Sequence, residues 1–299
     1  MKPNSKYQLG GAEARLWVGD GIRCLSSMAP GSVDLIVTSP PYFLGKEYDT
    51  SNRILDFCAE IRRAIPAVRH ALRPGGSICF QVGNHVQKGI LAPLDAIIIN
   101  EMMQQPDFML RNRIIWTFGH GTHAVRRFSG RHETILWYTK GEDYAFDLDA
   151  ARVPQRYPGK RHYKGPKKGA WSGNPLGKNP GDVWEIGDIW DIPNVKANHV
   201  EKTDHPCQFP TALVRRLILA LCPEGGVVAD PYMGSGTTAI AALLEGRSFA
   251  GVEMEPNYFL IAKERLSALI DGRLRTREDI PIRLPRSGDA VSQRPPHFR

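Results

Sequence analysis

The chain has 299 residues and a formal net charge of +8, long enough for one large α/β domain or two smaller ones and basic enough to favour a polyanionic partner. Its five cysteines, Cys24, Cys58, Cys79, Cys207 and Cys222, are odd in number, widely spaced and without any CxxC, which argues against a disulfide framework or zinc site and for reduced core residues of a cytoplasmic protein. The amino terminus lacks the apolar segment of a signal peptide, and no run approaches membrane-spanning length, so no membrane association is expected.

Residues 14–18 predict a short strand ending at Gly19-Asp20, followed by a short helix through Leu25 and Met28. An acid at a strand's carboxyl end either accepts a hydrogen bond from a cofactor amine or ribose or caps the next helix, and Asp20 suits both. Residues 32–37 give an apolar strand that runs into Thr38-Ser39-Pro40-Pro41-Tyr42. Two prolines cannot extend a central strand, so the chain leaves the sheet there as a rigid segment. Pro40 and Pro41 lack backbone N–H groups, and the segment offers acceptors, the Ser39 hydroxyl and backbone carbonyls, beside the flat ring of Tyr42. That chemistry suits a planar base with an exocyclic amino group. The plainer alternative is a Pro-rich turn with a packed Tyr.

Residues 51–72 read as a helix containing Pro66 and ended by Arg73-Pro74-Gly75-Gly76. A strand at 77–82 exits at Gly83-Asn84-His85, a helix follows at 91–104, and 113–118 and 133–138 predict a pair of strands. The loop between that pair carries three His and three Arg, with His123, Arg126 and Arg127 placed to meet phosphates unless the loop is only a mobile tip. Its His spacing predicts no metal site.

From Ala151 the composition changes: residues 151–180 hold eight Lys or Arg and no Asp or Glu, interleaved with Tyr157, Tyr163 and Trp171. A basic, aromatic-bearing loop fits contact with a nucleic-acid backbone, with Lys160, Arg161, Lys164, Lys167 and Lys168 as candidates; the alternative is a solvated insertion. A D-x-W-x-I pattern then occurs at 182–186 and again at 188–192, read as two strand-like turns.

A helix at 211–221 precedes an apolar strand at 225–229, the stretch Asp230-Pro231-Tyr232-Met233-Gly234-Ser235-Gly236-Thr237-Thr238 and a helix at 237–245. Gly234 and Gly236 permit a sharp turn and close approach to a ligand, and Ser235, Thr237 and Thr238 either donate to that ligand or cap the helix. A strand at 248–252 ends at Glu253, about twenty residues beyond the glycines, where an acid is placed to bind ribose hydroxyls. The last helix spans 256–270, and an Arg- and Pro-rich tail from 273 is expected to be poorly ordered.

TSPPY at 38–42, followed much later by DPYMGSGTT at 230–238, resembles the β-class of DNA methyltransferases acting on exocyclic amino groups, over roughly residues 16–266. The resemblance implies a Rossmann-like fold binding S-adenosylmethionine, with a mixed, mostly parallel seven-stranded sheet, helices on both faces and an inserted target-recognition region. In that scheme residues 14–150 form the catalytic half, 151–200 the insertion, 201–270 the cofactor half and 271–299 the tail. Asp230, Gly234 and Gly236 would approach the methionine part, Glu253 the ribose and Asp20 the adenine amine, with Thr38 and Tyr232 in the same cofactor set. Ser39, Pro40, Pro41 and Tyr42 would be catalytic, Tyr42 stacking on a flipped base with help from Phe43. Arg131-His132-Glu133 and His205-Pro206 also look like family elements, whereas Phe209 stands where the family more often has Lys.

Double-stranded DNA is then the expected partner, and a homodimer the expected assembly. Ser39 alone leans toward cytosine N4, while GDVWEI, IPNVKANHVEKTDHPCQFP and RHETILWYTKG look more like adenine-modifying members, so adenine N6 is expected narrowly. Rivals fit less well. GSGTT is a poor match to the GxGxxG of a dehydrogenase, no Lys follows the glycines as a P-loop requires, and a catalytically idle binding module leaves both motifs unexplained. An RNA methyltransferase is the nearest rival.

Overall fold

The structure, a computed structural model, describes residues 2–42, 53–87, 89–118, 123–154, 159–184, 192, 194–195 and 199–277. The chain opens with an antiparallel hairpin, β1 (Ser5–Leu9) and β2 (Ala12–Val18), then α1 (Gly21–Ser27), β3 (Val33–Thr38), α2 (Arg53–Ala71) and β4 (Leu72–Val82). A small separate hairpin, β5 (Asn84–Gln87) and β6 (Ile90–Pro93), leads to α3 (Leu94–Met102), β7 (Phe108–Thr117), β8 (His132–Lys140) and α4 (Leu148–Ala151). The remainder is β9 (Val183–Trp184), α5 (Thr211–Leu221), β10 (Val227–Asp230), α6 (Thr237–Leu244), β11 (Ser248–Glu253) and α7 (Pro256–Ile270).

One sheet has the order β1-β2-β11-β10-β3-β4-β8-β7-β9. The five strands from β2 to β4 run parallel, β8 and β7 are antiparallel to their neighbours, and β9 is parallel to β7. Among the described residues the expected seven strands are therefore extended to nine, by β1 at one edge and the two-residue β9 at the other. Because β10 and β11 lie between β2 and β3, residues from before and after the insertion build a single sheet.

Burial on both faces explains why the central strands read as nearly continuous apolar runs. Along β8, Ile135 and Trp137 join the core beneath α5, α6 and α7, whereas Leu136 and Tyr138 join the core beneath α1, α2 and α3. Among the described residues no helix is long and apolar enough to cross a membrane.

Several boundaries differ from expectation. Helix α2 stops at Ala71, but Arg73-Pro74-Gly75-Gly76 stays within β4 as an irregularity, the partners of β3 jumping from Leu72 to Ser77. Gly75 has φ +74°, and a Cβ there would come within 2.3 Å of the Asp143 carbonyl oxygen, so only glycine allows this detour. The helix expected from 91 begins at Leu94, because residues 90–93 pair with 84–87 and Pro93 serves as its N-cap. The five cysteines differ in burial: Cys207 is exposed and Cys58 half-buried, so only Cys24, Cys79 and Cys222 are core residues.

The insertion is more organised than a plain loop. Val153 and Lys178 exchange two backbone hydrogen bonds that close its base, and residues 160–162 pair back onto 169–172 as a small hairpin. Of the D-x-W-x-I pair, Val183 and Trp184 form β9, while residues 185–191 lie outside the described residues, as do Phe43, Tyr157 and the tail from 278.

Candidate active site

The carboxyl ends of β2, β11, β10, β3 and β4 point the same way, which is where an open α/β sheet places its ligands. The two long motifs meet there. Thr38, at the end of β3, donates from Oγ1 to Asp230 Oδ1 at the end of neighbouring β10, at 2.7 Å. Thr238 donates to Asp230 Oδ2 at 2.7 Å, and the Tyr232 backbone N–H donates to Oδ1 at 3.1 Å. Burial pushes the Asp230 carboxyl up to about 7, against the lowering effect of the Thr38 and Thr238 hydroxyls. Both its oxygens are engaged by the protein, so Asp230 ties the glycine loop to the Thr38-Ser39-Pro40-Pro41-Tyr42 segment.

Ser39, half-buried, lies 3.4 Å from the Tyr42 hydroxyl, which also accepts from the Gly83 N–H at 2.9 Å. The Tyr42 ring meets Phe57 of α2 edge-on at 6.4 Å between centroids. Burial raises its phenol, and the Glu133 carboxylate nearby adds to the shift. Glu133 in turn accepts from the Gln81 side chain. The exit of β4 therefore fixes the hydroxyl end of Tyr42. Pro40 is buried and Pro41 half-buried.

The glycine loop is packed by the chain itself. Gly234 (φ +52°) lies under His205, whose Nε2 would stand 2.8 Å from a Cβ, and Gly236 (φ +78°) lies against Ala262 of α7, with 2.9 Å to its Cβ. Ser235 and Thr237 face Arg265: its Nη1 donates to the Ser235 carbonyl at 2.8 Å and to Thr237 Oγ1 at 3.0 Å. Arg265 is itself buried, its guanidinium lowered to about 10 by burial and supported by Glu201 at 3.9 Å. Glu201 accepts from the Thr211 N–H at 3.0 Å and the Thr211 hydroxyl at 2.6 Å, so this buried network anchors the loop to α7 and α5.

Glu253 accepts from the Gly234 N–H at 2.7 Å and from the Glu255 N–H at 2.9 Å, and burial raises its carboxyl. Asp20 caps α1, accepting from the Ile22 N–H at 2.9 Å and the Arg23 N–H at 3.2 Å, and receives Arg63 at 2.7 Å on its other oxygen. Burial works against its ionisation, but Arg63 and the cap N–H groups hold its carboxyl below the ordinary range. The Tyr232 hydroxyl donates to Glu60 at 2.6 Å, and Glu60 pairs with the same Arg63. Gly21 allows the two segments to touch, since a Cβ there would fall 1.9 Å from the Pro231 carbonyl oxygen.

Sequence reasoning missed Glu60, Arg63, Glu201, Arg265 and Gly21. Arg265 carried a signal: it falls on the stripe Phe259, Ala262, Leu266 that buries α7, where a charge needs a partner. The basic candidates lie elsewhere on the surface. His123 and Arg126 are exposed and Arg127 half-buried on the β7–β8 connection, while Lys160, Arg161, Lys164, Lys167 and Lys168 are exposed on the insertion hairpin. Arg161 stacks over Trp171 at 4.1 Å and donates to the Gly169 carbonyl at 2.6 Å, which gives it a part in holding the hairpin.

A sequence model described as DNA methylase, of the N6/N4 methyltransferase type, matches residues 33–264. The type II methyltransferase M.BglII of Bacillus subtilis is 43% identical over 254 residues, covering 85% of this chain and 69% of that protein. A DNA modification methylase of Thermus thermophilus, solved in complex with S-adenosyl-L-methionine, is 30% identical with a TM-score of 0.60 over 86% of this chain and 96% of its own. The cytosine-N4-specific PvuII DNA methyltransferase shares the fold, with a TM-score of 0.67 at 19% identity over 91% of this chain and 96% of its own. With the matched span running from β3 into α7 and so taking in both motifs joined at Thr38 and Asp230, the chain belongs to the N6/N4 DNA methylase family.

Proposed function

We propose that the protein transfers a methyl group from S-adenosylmethionine to the exocyclic amino group of a base flipped out of double-stranded DNA, as a type II modification enzyme acting as a homodimer. The hydrogen bond between Thr38 and Asp230 carries the reading, because it puts the amine-accepting segment and the glycine loop at neighbouring strand ends. Membership of the DNA methylase family and the cofactor complex of the Thermus relative support it. The donor set suits the cofactor: Glu253 offers a carboxylate beside the Gly234 N–H, and Asp20 and Tyr232 border the same edge. Bound there, S-adenosylmethionine supplies an electrophilic sulfonium methyl.

An amino group conjugated with its ring is a poor nucleophile because its lone pair is delocalised. Ser39 Oγ and the Pro40 carbonyl, accepting its two N–H groups, hold the nitrogen nearer tetrahedral and return the lone pair for in-line attack. Positioning and electrostatics then supply the acceleration without a covalent enzyme intermediate. The Tyr42 ring stacks on the extruded base, with its hydroxyl pinned by Gly83. Extrusion costs a few kcal/mol, which Lys and Arg contacts to phosphates help offset.

Between the two amino groups, Ser39 supports cytosine N4. Of the blocks that resemble adenine-modifying enzymes, RHETILWYTKG forms β8, Val183 and Trp184 of GDVWEI form β9, and the third supplies the Glu201 anchor and the His205 packing on Gly234, so the contacts described for them are with the sheet and the glycine loop. Adenine N6 remains the second reading, carried by those blocks. Methylation of an unmodified duplex followed by nucleoside mass analysis tests both. Methyladenine without methylcytosine would reverse the choice, and methylation of structured RNA alone would overturn the DNA reading.

A further inference from the structure

The β7–β8 connection leaves the sheet at the same edge as the catalytic segment. Thr117 pairs with His132 at its base, Thr134 pairs with Val82, and Phe80 pairs with Thr38, so the connection rises two strands away from Ser39. The Ala124 N–H donates to Ser129 Oγ at 3.1 Å and closes a tip made of Val125, Arg126, Arg127 and Phe128. Val125 is 98% and Phe128 99% exposed, above every other large apolar side chain described. Arg127 donates to the Phe128 carbonyl at 2.9 Å and braces the backbone that presents the ring.

A ring and an isopropyl group left wholly in water are costly unless something covers them when the protein works. Two arginines between them select the occupant: a second copy of this chain would bring its own excess of positive charge, whereas duplex DNA offers phosphates outside and an apolar base stack within. We propose that Phe128 is a wedge that enters the base stack at the point the target base leaves, with Val125 beside it and Arg126 on the adjoining phosphate. This rests on the base-flipping reading given above. Removing a base from the stack sacrifices stacking on both neighbours, and an inserted aromatic ring restores part of it and keeps the gap from closing.

The test compares wild type, Phe128→Ala and Phe128→Trp on three oligonucleotides: a matched duplex, the same duplex with an abasic site opposite the target base, and a single strand. Single-turnover methylation is measured on each, with 2-aminopurine fluorescence at the target position to report extrusion. Phe128→Ala is expected to lose roughly 10- to 100-fold on the matched duplex, about 1.4 to 2.7 kcal/mol. It should approach wild type on the other two, and Phe128→Trp should retain activity on all three. Equal loss on every substrate, no loss on any, or a dimer that falls to monomer in sedimentation would overturn the wedge while leaving methyl transfer intact. Wild-type protein inactive on all three would overturn the methyl-transfer reading and the wedge with it.

Discussion

Thr38 and Asp230, 192 positions apart in the chain, share a 2.7 Å hydrogen bond at the ends of adjacent parallel strands, so the proposed catalytic segment and the proposed cofactor loop spring from one joint. Thr38→Val removes the donor and leaves a buried acceptor short of a partner, with an expected loss of about 1–3 kcal/mol in stability. Both cofactor affinity and methyl transfer should fall, and Thr38→Ser should restore both. Calorimetry with S-adenosylmethionine and urea denaturation measure the two effects. A valine variant with wild-type values on both would show that the joint is dispensable.

Asp230 also predicts a pH dependence. Burial raises its carboxyl from 3.8 to about 7, so the folded chain keeps a proton there that the unfolded chain releases. The stability this contributes is complete below about pH 4 and declines as pH rises to about 7, at no more than about 1.4 kcal/mol per pH unit. In Asp230→Asn that decline should vanish, so the variant gains on wild type as pH is raised across this window. Parallel denaturation curves for the two proteins from pH 4 to 7.5 would contradict the burial account.

In the proposed mechanism Ser39 and Tyr42 act on the base and not on the cofactor, and substitutions should separate the two. Ser39→Ala and Tyr42→Ala are expected to bind S-adenosylmethionine normally and to lose most methyl transfer, by roughly 100-fold or more if positioning and electrostatics carry the rate. Tyr42→Phe keeps the ring but gives up the acceptor for the Gly83 N–H, so it should fall between wild type and Tyr42→Ala. Loss of cofactor binding in either alanine variant would reassign these residues.

The buried pair of Arg265 and Glu201 makes a stability prediction. Glu201→Gln leaves a guanidinium in the interior without its countercharge, at an expected cost of about 3–5 kcal/mol. Arg265→Met abandons the Ser235 and Thr237 oxygens and should cost a similar amount. Their combination should cost less than the sum, because each single change already breaks the pair. Strict additivity in a double-mutant cycle would mean that the 3.9 Å separation carries no coupling.

Much of the fold was legible because burial on both sheet faces writes itself as apolar strands between helical stretches. The bounds of α5 and α7 match their sequence expectation, the strands ending at Thr38, Asp230 and Glu253 deliver their side chains to one edge, and Asp20 follows β2 at that edge as the N-cap of α1. What stayed hidden depends on contacts between distant segments. Strand β1 alternates only between exposed and half-buried residues, so it carries no apolar signature of its own. Gly234 and Gly236 announced a close approach, but not that His205 and Ala262 would make it. Ser235, Thr237 and Thr238 read as ligand donors or caps, since their hydroxyls suit either, and only the packing shows them turned to Arg265 and Asp230.

The insertion hairpin divides its basic residues into two classes, and salt dependence should distinguish them. Arg161 stacks on Trp171 and bonds the Gly169 carbonyl, so Arg161→Ala is expected to loosen the hairpin and weaken DNA binding through lost structure. Lys164, Lys167 and Lys168 sit exposed around its turn beside Tyr163, which is 90% exposed, placing three ammonium groups and a ring at the tip. Each lysine that neutralises a phosphate releases counterions worth about 0.9 in the slope of log K against log salt, so replacing all three by Gln should flatten the slope by up to about 2.7. Affinity at low salt should fall across unrelated DNA sequences alike, because phosphate contacts carry no base information. Fluorescence anisotropy from 50 to 300 mM salt measures both quantities, and an unchanged slope in the triple variant would remove these lysines from the DNA interface.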